Sequence, residues 1–426
     1  MPETQLYLLG TRRFLPVFIA QFLGAFNDNV FKAAMVMFIT FALISNPSHA
    51  QFLINLAGGV FILPFLLFSA LAGQLADKFD RTRIISWIKF CEIIFMIIGA
   101  LSFYLNNIPL MMITLFLMGT HSAFFGPIKY SVLPDLLKYQ EILAGNGLVQ
   151  GSTFIAILLG TIVGTELGIT RQGALFVSLL AVVLAATGWI ASIFVPKVNS
   201  AAPNLKFNAN FLQETCRLIQ YTRQNKLLFF VILEISWFWF VGFIFVTQFP
   251  VYVKQIIGGN EHIVTLFLVM FSGGIAIGSF LCNRLLKGVI HARYVPLGIL
   301  GMTLFTMDLC WASSGNTPLL TSGGLQAFLS HWFGWRITVD LFLLSVAGGV
   351  YIVPLYAILQ TKSDPEFRSR VVACNNIFGA LFMVIAALSA IFMVSLGLNA
   401  VHIFLVTGII NILVAWVAWK KTSKTG

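Results

Sequence analysis

The chain has 426 residues, of which 58% are hydrophobic, 14% aromatic and only 10% charged. Soluble domains run about 45–50% apolar and about 25% charged, so a soluble enzyme, a fibrous protein and a disordered chain are all excluded. A mean hydropathy of +0.92 points to lipid as solvent, which leaves the net charge of +11 to be explained.

In chain order, Arg12 and Arg13 precede an apolar run that starts at Phe14 and carries no small-x-small cleavage site. It is expected to be a first spanning helix rather than a removed signal peptide. Apolar runs of spanning length, about 20 residues each, then occupy 14–44, 52–76, 84–105, 110–134, 145–170 and 172–195. They resume at 227–253, 262–286, 293–314, 337–361, 371–397 and 399–419. The break at 196–226 begins with Pro196 and holds Lys197, Lys206, Arg217, Arg223 and Lys226. It divides the chain into an N-terminal six-helix bundle (1–195), a central cytoplasmic loop (196–226) and a C-terminal six-helix bundle (227–426). A second long break, 315–336, contains a single charge, Arg336. The five cysteines (Cys91, Cys216, Cys282, Cys310 and Cys374) form no Cys-x-x-Cys pair, so neither a disulfide framework nor a zinc site is expected.

Sorting the cations by loop explains the charge. With the N-terminus in the cytoplasm, 20 of the 26 Lys and Arg fall on the cytoplasmic side, ending with Lys420, Lys421 and Lys424. Arg171, Lys254 and Arg336 lie opposite, and Lys32, Lys89 and Lys129 lie within helices. The positive-inside rule then places both termini in the cytoplasm. The basic rim faces anionic lipid headgroups, at about 1 kcal/mol per side chain near the surface, and no nucleic acid is needed as a partner.

The halves echo each other, as in transporters built from repeats. Gly73, Asp77, Lys78, Arg81 and Arg83 follow the second helix, and Gly278, Asn283, Arg284 and Lys287 follow the eighth. Pro127 and Tyr130 precede Asn146-Gly147, and Pro354 and Tyr356 precede Asn375-Asn376.

The stretch 73–83 resembles the loop signature of the major facilitator superfamily, Gly-x-Leu-Ala-Asp-Arg/Lys-x-Gly-Arg-Lys/Arg, through Gly73, Leu75, Ala76, Asp77, Lys78, Arg81 and Arg83. Asp80 stands where that signature has Gly, a position for which Asp tolerates the left-handed conformation better than most residues. The resemblance implies an all-α membrane protein with the major facilitator fold. It has twelve transmembrane helices in two pseudo-symmetric six-helix bundles, both termini being cytoplasmic. It also implies a conformational switch at Gly73, Asp77, Arg81 and Arg83, with Asp77 pairing with Arg81 and with neighbouring helices.

A narrower resemblance is carried by Gln21 to Val30 in the first helix, Phe125 to Tyr130 with Leu133 to Leu136, and Leu143 to Leu148 running to Gly160. In the second half it is carried by Val353 to Gln360 and by Asn375-Asn376. These stretches look like bacterial lysophospholipid transporters. What that implies is inward flipping of lysophospholipids across the bacterial inner membrane for re-acylation. The partners implied are membrane lipids and an acyltransferase or acyl-activating enzyme. Some members of that family are fused to such domains. Here the chain stops at Gly426, which leads to the expectation of a transporter part alone.

Charged side chains at membrane depth are functional candidates by default. Asp28 stands about 14 residues into the first helix, near the midplane at roughly 1.5 Å per residue, and Lys32 follows one turn later. Gln21, Asn27 and Asn29 surround them. These residues either line a cavity and engage a zwitterionic or anionic headgroup, or form an ion pair locking the helix to its neighbours. Lys129, beside Pro127 and Tyr130, suits a lipid phosphate as a point charge or snorkels to the rim. Glu234, near Trp237 and Trp239, has three open roles: carrying a coupling proton, pairing with Lys129, or pairing with an Arg of the central loop. The family resemblance implies a cation in the seventh helix, yet none lies between Lys226 and Lys254. Asn146, Gln150 and Thr153 share one helical side, and Tyr356, Asn375 and Asn376 are the second-half candidates, as groups that bond across helices or to a ligand. Lys89 and Glu92 read as a structural pair, His121 as a packing residue, and Asp308 and Asp340 have no assigned role.

Enzyme chemistry is not supported. No His is followed five residues later by Asp, as a membrane acyltransferase would need, and no Gly-x-x-x-x-Gly-Lys-Ser/Thr loop is present. No cofactor is expected. The alternatives to lysolipid flipping are a proton-coupled exporter of amphipathic drugs or metabolites, with Asp28 or Glu234 protonated, and a non-transporting membrane partner of an acyltransferase.

Overall fold

The computed structural model of the chain describes residues 5–314, 320 and 324–422. Residues 315–319 and 321–323 of the expected break at 315–336, and Lys424 of the basic rim, lie outside the described residues. The regular elements are helices: α1 (Leu15–Phe38), α2 (Pro47–Lys78), α3 (Arg81–Tyr104), α4 (Ile108–Ser131), α5 (Leu133–Leu136), α6 (Ile142–Gly168), α7 (Arg171–Ile193) and α8 (Phe211–Gln224). They continue with α9 (Lys226–Tyr252), α10 (Glu261–Leu286), α11 (Val295–Ala312), α12 (Leu325–Ser330), α13 (Trp332–Lys362), α14 (Arg368–Ser395) and α15 (Ala400–Thr422). Twelve of the described helices are long and apolar enough to cross a membrane, and each corresponds to one of the apolar runs read from the sequence. Only helices and closed barrels satisfy every backbone polar group in lipid, which is why so apolar a chain resolves into helical spans.

Short polar residues set where several of the helices start. Asn46, Asn107, Thr170 and Asn210 each accept a backbone N–H from the first turn of α2, α4, α7 and α8, the usual way to satisfy orphan donors at a helix N-terminus. Asp80 belongs to this group, which corrects the expectation of a left-handed residue there. Its φ is −57°, and its carboxylate caps α3 by accepting the Arg83 N–H. The position therefore works without Gly, because the turn between α2 and α3 is closed by a cap. Ahead of α1, Arg13 donates to Glu141 at 2.6 Å, and that hydrogen bond holds the guanidinium above its ordinary range.

The described residues form two compact units. The first comprises 1–145, 155–232 and 359–380, and the second comprises 146–154, 233–358 and 381–426. The first therefore includes the end of α13 and the start of α14, and the second includes one short segment of α6.

In the first unit, α1 and α6 approach backbone to backbone along Gly160, Gly164 and Gly168. A Cβ on Gly160 would lie 2.6 Å from the Phe26 carbonyl oxygen, and one on Gly164 would strike the Val30 carbonyl. Lipid supplies no hydrophobic drive between helices, so association relies on such close packing of small residues. In the second unit the equivalent device joins α10 to α13, where Gly278 meets the Val346 carbonyl. An aromatic cluster of Phe245 and Phe249 on α9, Phe267 and Phe271 on α10 and Phe404 on α15 ties those helices together. Large apolar side chains point outward as well, Leu304 and Leu413 each being 63% exposed, as suits a lipid-facing surface.

Candidate functional site

In the first unit, two sets of charged residues lie on closely packed helices. The first set is at the end of α2. Asp77 is fully buried and Arg81 is 2% exposed. The Arg81 guanidinium donates to Asp77 at 3.2 Å and to Asp135, on α5, at 2.6 Å. Asp77 also accepts the backbone N–H of Ser369 at 3.1 Å, that of Arg370 at 3.3 Å and the Arg370 Nε at 3.0 Å. Those two amides belong to the first turn of α14, whose positive dipole end favours a carboxylate. Asp135 accepts in turn from Arg368 at 3.3 Å, and the Ser369 hydroxyl donates to Ser131 Oγ at 2.9 Å.

Buried charges are tolerable when paired and fully hydrogen-bonded, and here two carboxylates meet three guanidiniums. Gly73 makes this approach geometrically open. A Cβ there would sit 2.8 Å from the Ala373 side chain and 2.9 Å from the Arg370 Cα. Arg83, named with the switch on sequence grounds, does not join the cluster: its side chain is 82% exposed and 4.0 Å from Asp80. Asp135, Arg368, Ser369 and Arg370 complete the cluster and are not identifiable as its members from sequence. The sequence offers only their charge and their position in loops or at helix ends, which says nothing about mutual distance.

The second set lies between α1, α3 and α4. Ser122 donates to Asp28 Oδ2 at 2.6 Å. One residue before Asp28, Asn27 donates to Glu92 Oε1 at 3.1 Å. Glu92 forms an ion pair with Lys89 and lies 3.2 Å from His121 Nε2. His121 stacks on Phe125 at 5.9 Å, so it contacts a charge besides packing. Lys89 is fully buried, with its ammonium 5.3 Å from the Phe125 ring centroid.

Asp28 and Lys32 share a helical face but form no ion pair among the described residues. The Lys32 ammonium sits over the Phe61 ring at 5.4 Å instead. Lys129 sits over Tyr130 at 5.0 Å, and both lysines lie within coulombic reach of Asp28. Asp28, Lys32 and Lys129 are all half-buried. Gln21 is buried; Asn29 is buried too, and its amide donates to its own helix at Ala25, 2.8 Å away. Asn375 is buried, and Asn376 lies where a Cβ on Gly126 would meet it.

The remaining candidates are in the second unit. Glu234 forms no ion pair among the described residues; Tyr351 donates to its carboxylate at 2.8 Å and to its backbone carbonyl at 2.6 Å. Trp239 donates to the Tyr356 hydroxyl at 3.3 Å, and Trp237 to Asn411 at 2.5 Å. Asn146 and Gln150 are fully buried.

Comparison with known proteins places this geometry in context. The family model described as Major Facilitator Superfamily matches residues 17–335. A relative named Lysophospholipid transporter LplT from Citrobacter koseri is 27% identical over 359 residues, covering 83% of this chain and 81% of its own. One of the same name from Escherichia coli is 28% identical over 354 residues, covering 81% and 79%. Among solved structures, the outward conformation of the transporter FucP superposes with a TM-score of 0.73 at 11% identity, covering 95% of this chain and 97% of that one. The human organic anion transporter MFSD10 gives 0.71 at 13% identity, covering 96% and 99%. At such identities these two structures speak to fold alone.

Proposed function

The chain belongs to the Major Facilitator Superfamily, and from that premise we propose that it carries lysophospholipids across the bacterial inner membrane by alternating access. The observation that carries the reading is the similarity to proteins named lysophospholipid transporters over about four fifths of both chains. The charge distribution supports it. On this reading the headgroup engages Asp28, Lys32, Asn29 and Lys129, and the acyl chain follows apolar helix faces. A zwitterionic headgroup needs both signs of charge, and the ammoniums of Lys32 and Lys129 sit over the Phe61 and Tyr130 rings rather than in an ion pair with Asp28. The candidates Gln21, Tyr130, Asn146, Gln150, Glu234, Tyr356, Asn375 and Asn376 are proposed to shape or line the path.

Asp77, Arg81, Asp135, Arg368 and Arg370 act as the latch that holds one of the alternating states, with Gly73 permitting its closure. Both termini face the cytoplasm on the charge argument, which puts the latch on the cytoplasmic side. The flipped lipid then reaches the leaflet where an acyltransferase restores its second chain. The test is reconstitution of the purified chain in vesicles with lysolipids of different headgroups and a leaflet-resolved readout. Acceleration of lysolipid movement over protein-free vesicles is the expected result. No acceleration for any headgroup would overturn the reading.

A further inference from the structure

The central loop crosses the latch, and its two ends are seated on different sides of it. Its first part is bonded to the turn between α2 and α3. Ala202 donates its N–H to the Asp77 carbonyl at 2.8 Å, and Arg81 donates its backbone N–H to the Val198 carbonyl at 3.1 Å. The Thr82 hydroxyl donates to the Pro196 carbonyl and accepts the Val198 N–H, each at 2.8 Å. Gln74 and Asn208 exchange two more hydrogen bonds, at 3.0 and 2.9 Å. The loop therefore holds the backbones of Asp77 and Arg81, the residues whose side chains form the latch.

The helix α8, at the end of the loop, rests on the start of α14. Glu214, Leu218 and Thr222 form its buried stripe, at the spacing of four that one helix face requires. Thr222 Oγ1 lies 3.4 Å from the sulfur of Cys374, on α14. Tyr221 stacks on Phe367 with ring centroids 3.8 Å apart, and the Arg370 guanidinium sits over the same ring at 3.5 Å. Two planar groups that close must occupy opposite faces of the ring. Contact therefore runs without a break from Tyr221 through Phe367 and Arg370 to Asp77.

This second seat is the weaker of the two. It has one ring stack and one bond to a thiol, a weak hydrogen-bonding group. It also buries Oε2 of Glu214 and Oγ1 of Thr215 with no hydrogen-bond partner among the described residues. Burying polar groups unbonded is costly, and lifting α8 would return both to water.

We propose that α8 is a releasable strap on the latch. Anchored through the loop to the turn between α2 and α3, it positions Arg370 for Asp77 by way of Tyr221 and Phe367. It lifts from α14 when the latch opens. The seat rests on these contacts alone, whereas its release in each transport cycle rests on the lysolipid reading.

The test starts from the full chain with Cys374 as its sole cysteine. Tyr221→Ala is expected to raise maleimide labelling of Cys374 about fivefold by local opening, while Tyr221→Phe, which keeps the ring, labels as the parent does. Thr222→Cys bridged to Cys374 by oxidation should slow lysolipid flipping in vesicles about tenfold or more, with recovery on reduction, if strap release gates the cycle. In a chain without other cysteines, Thr82→Cys bridged to Val198→Cys fixes only the anchored end, and flipping should continue. Unchanged Cys374 labelling in folded Tyr221→Ala overturns the strap. So does equal flipping before and after the Thr222→Cys bridge forms, or arrest by the bridge at Thr82 and Val198. Absence of flipping in the unmodified chain overturns the transport reading, and Cys374 labelling then still decides whether α8 is seated as a strap.

Discussion

The carboxylate of Asp77 lies 3.0 Å from Nε of Arg370, a residue 293 positions away, so the end of α2 is tied to the start of α14. Asp77 has donors from Arg81 and from two α14 amides as well, which makes it the most heavily bonded carboxylate in the cluster. Replacing it by Asn keeps the shape but leaves buried guanidiniums uncompensated, and breaking one partner of a buried pair costs about 3–5 kcal/mol. The latched arrangement should open. Cys374 reports it, because this buried thiol sits 3.4 Å from Thr222 in the latched state. With the other cysteines replaced, Asp77→Asn is expected to raise Cys374 labelling by a membrane-permeant maleimide at least tenfold; unchanged labelling would show that the latch does not depend on Asp77.

Ser122 is expected to tune the candidate headgroup site. A hydrogen bond to a charged group contributes about 1.5–3 kcal/mol, so Ser122→Ala should lower lysolipid flipping roughly tenfold through loss of the 2.6 Å bond that orients Asp28. Asp28→Asn should abolish flipping while size-exclusion profiles stay normal. Wild-type rates in Asp28→Asn would remove Asp28 from the site.

Glu92 is predicted to be structural. It compensates a fully buried Lys89, so Glu92→Gln should destabilise the protein by about 3–5 kcal/mol and lower its melting temperature in detergent. The double change Lys89→Met with Glu92→Leu removes both charges and should recover most of that loss. A melting curve for Glu92→Gln that overlays the wild type would contradict the pairing.

Gly164 tests the packing of α1 on α6. A side chain there strikes the Val30 carbonyl, a rigid backbone atom, so overpacking of about 1–3 kcal/mol or more is expected for Gly164→Val. The readout is the fraction of monodisperse protein after extraction, which should fall sharply. Gly58→Val, where an added Cβ meets nothing within 4 Å, is the matched control and should behave as the wild type.

The twelve spans, the polar break after Pro196 and the sorting of cations among loops follow from the sequence alone. They depend on local composition, since each stretch of about 20 apolar residues finds its solvent regardless of its neighbours. The Gly73 to Arg83 stretch was legible for a related reason, its parts lying within a few turns of each other. The Gly-to-Asp departure at Asp80 suggests a left-handed residue, because the charge pattern does not reveal that its side chain caps α3.

What only the tertiary structure decided is which charges meet. Asp77 with Arg370, Ser122 with Asp28, and Asp308 with Arg336 are brought together by helix crossings that Gly73 and similar glycines permit. The spacing of Asp28 and Lys32 suggested a pair, and packing directed the lysine to the Phe61 ring instead. Distances between helices depend on side chains far apart in the chain, and a reading based on periodicity holds no information about them.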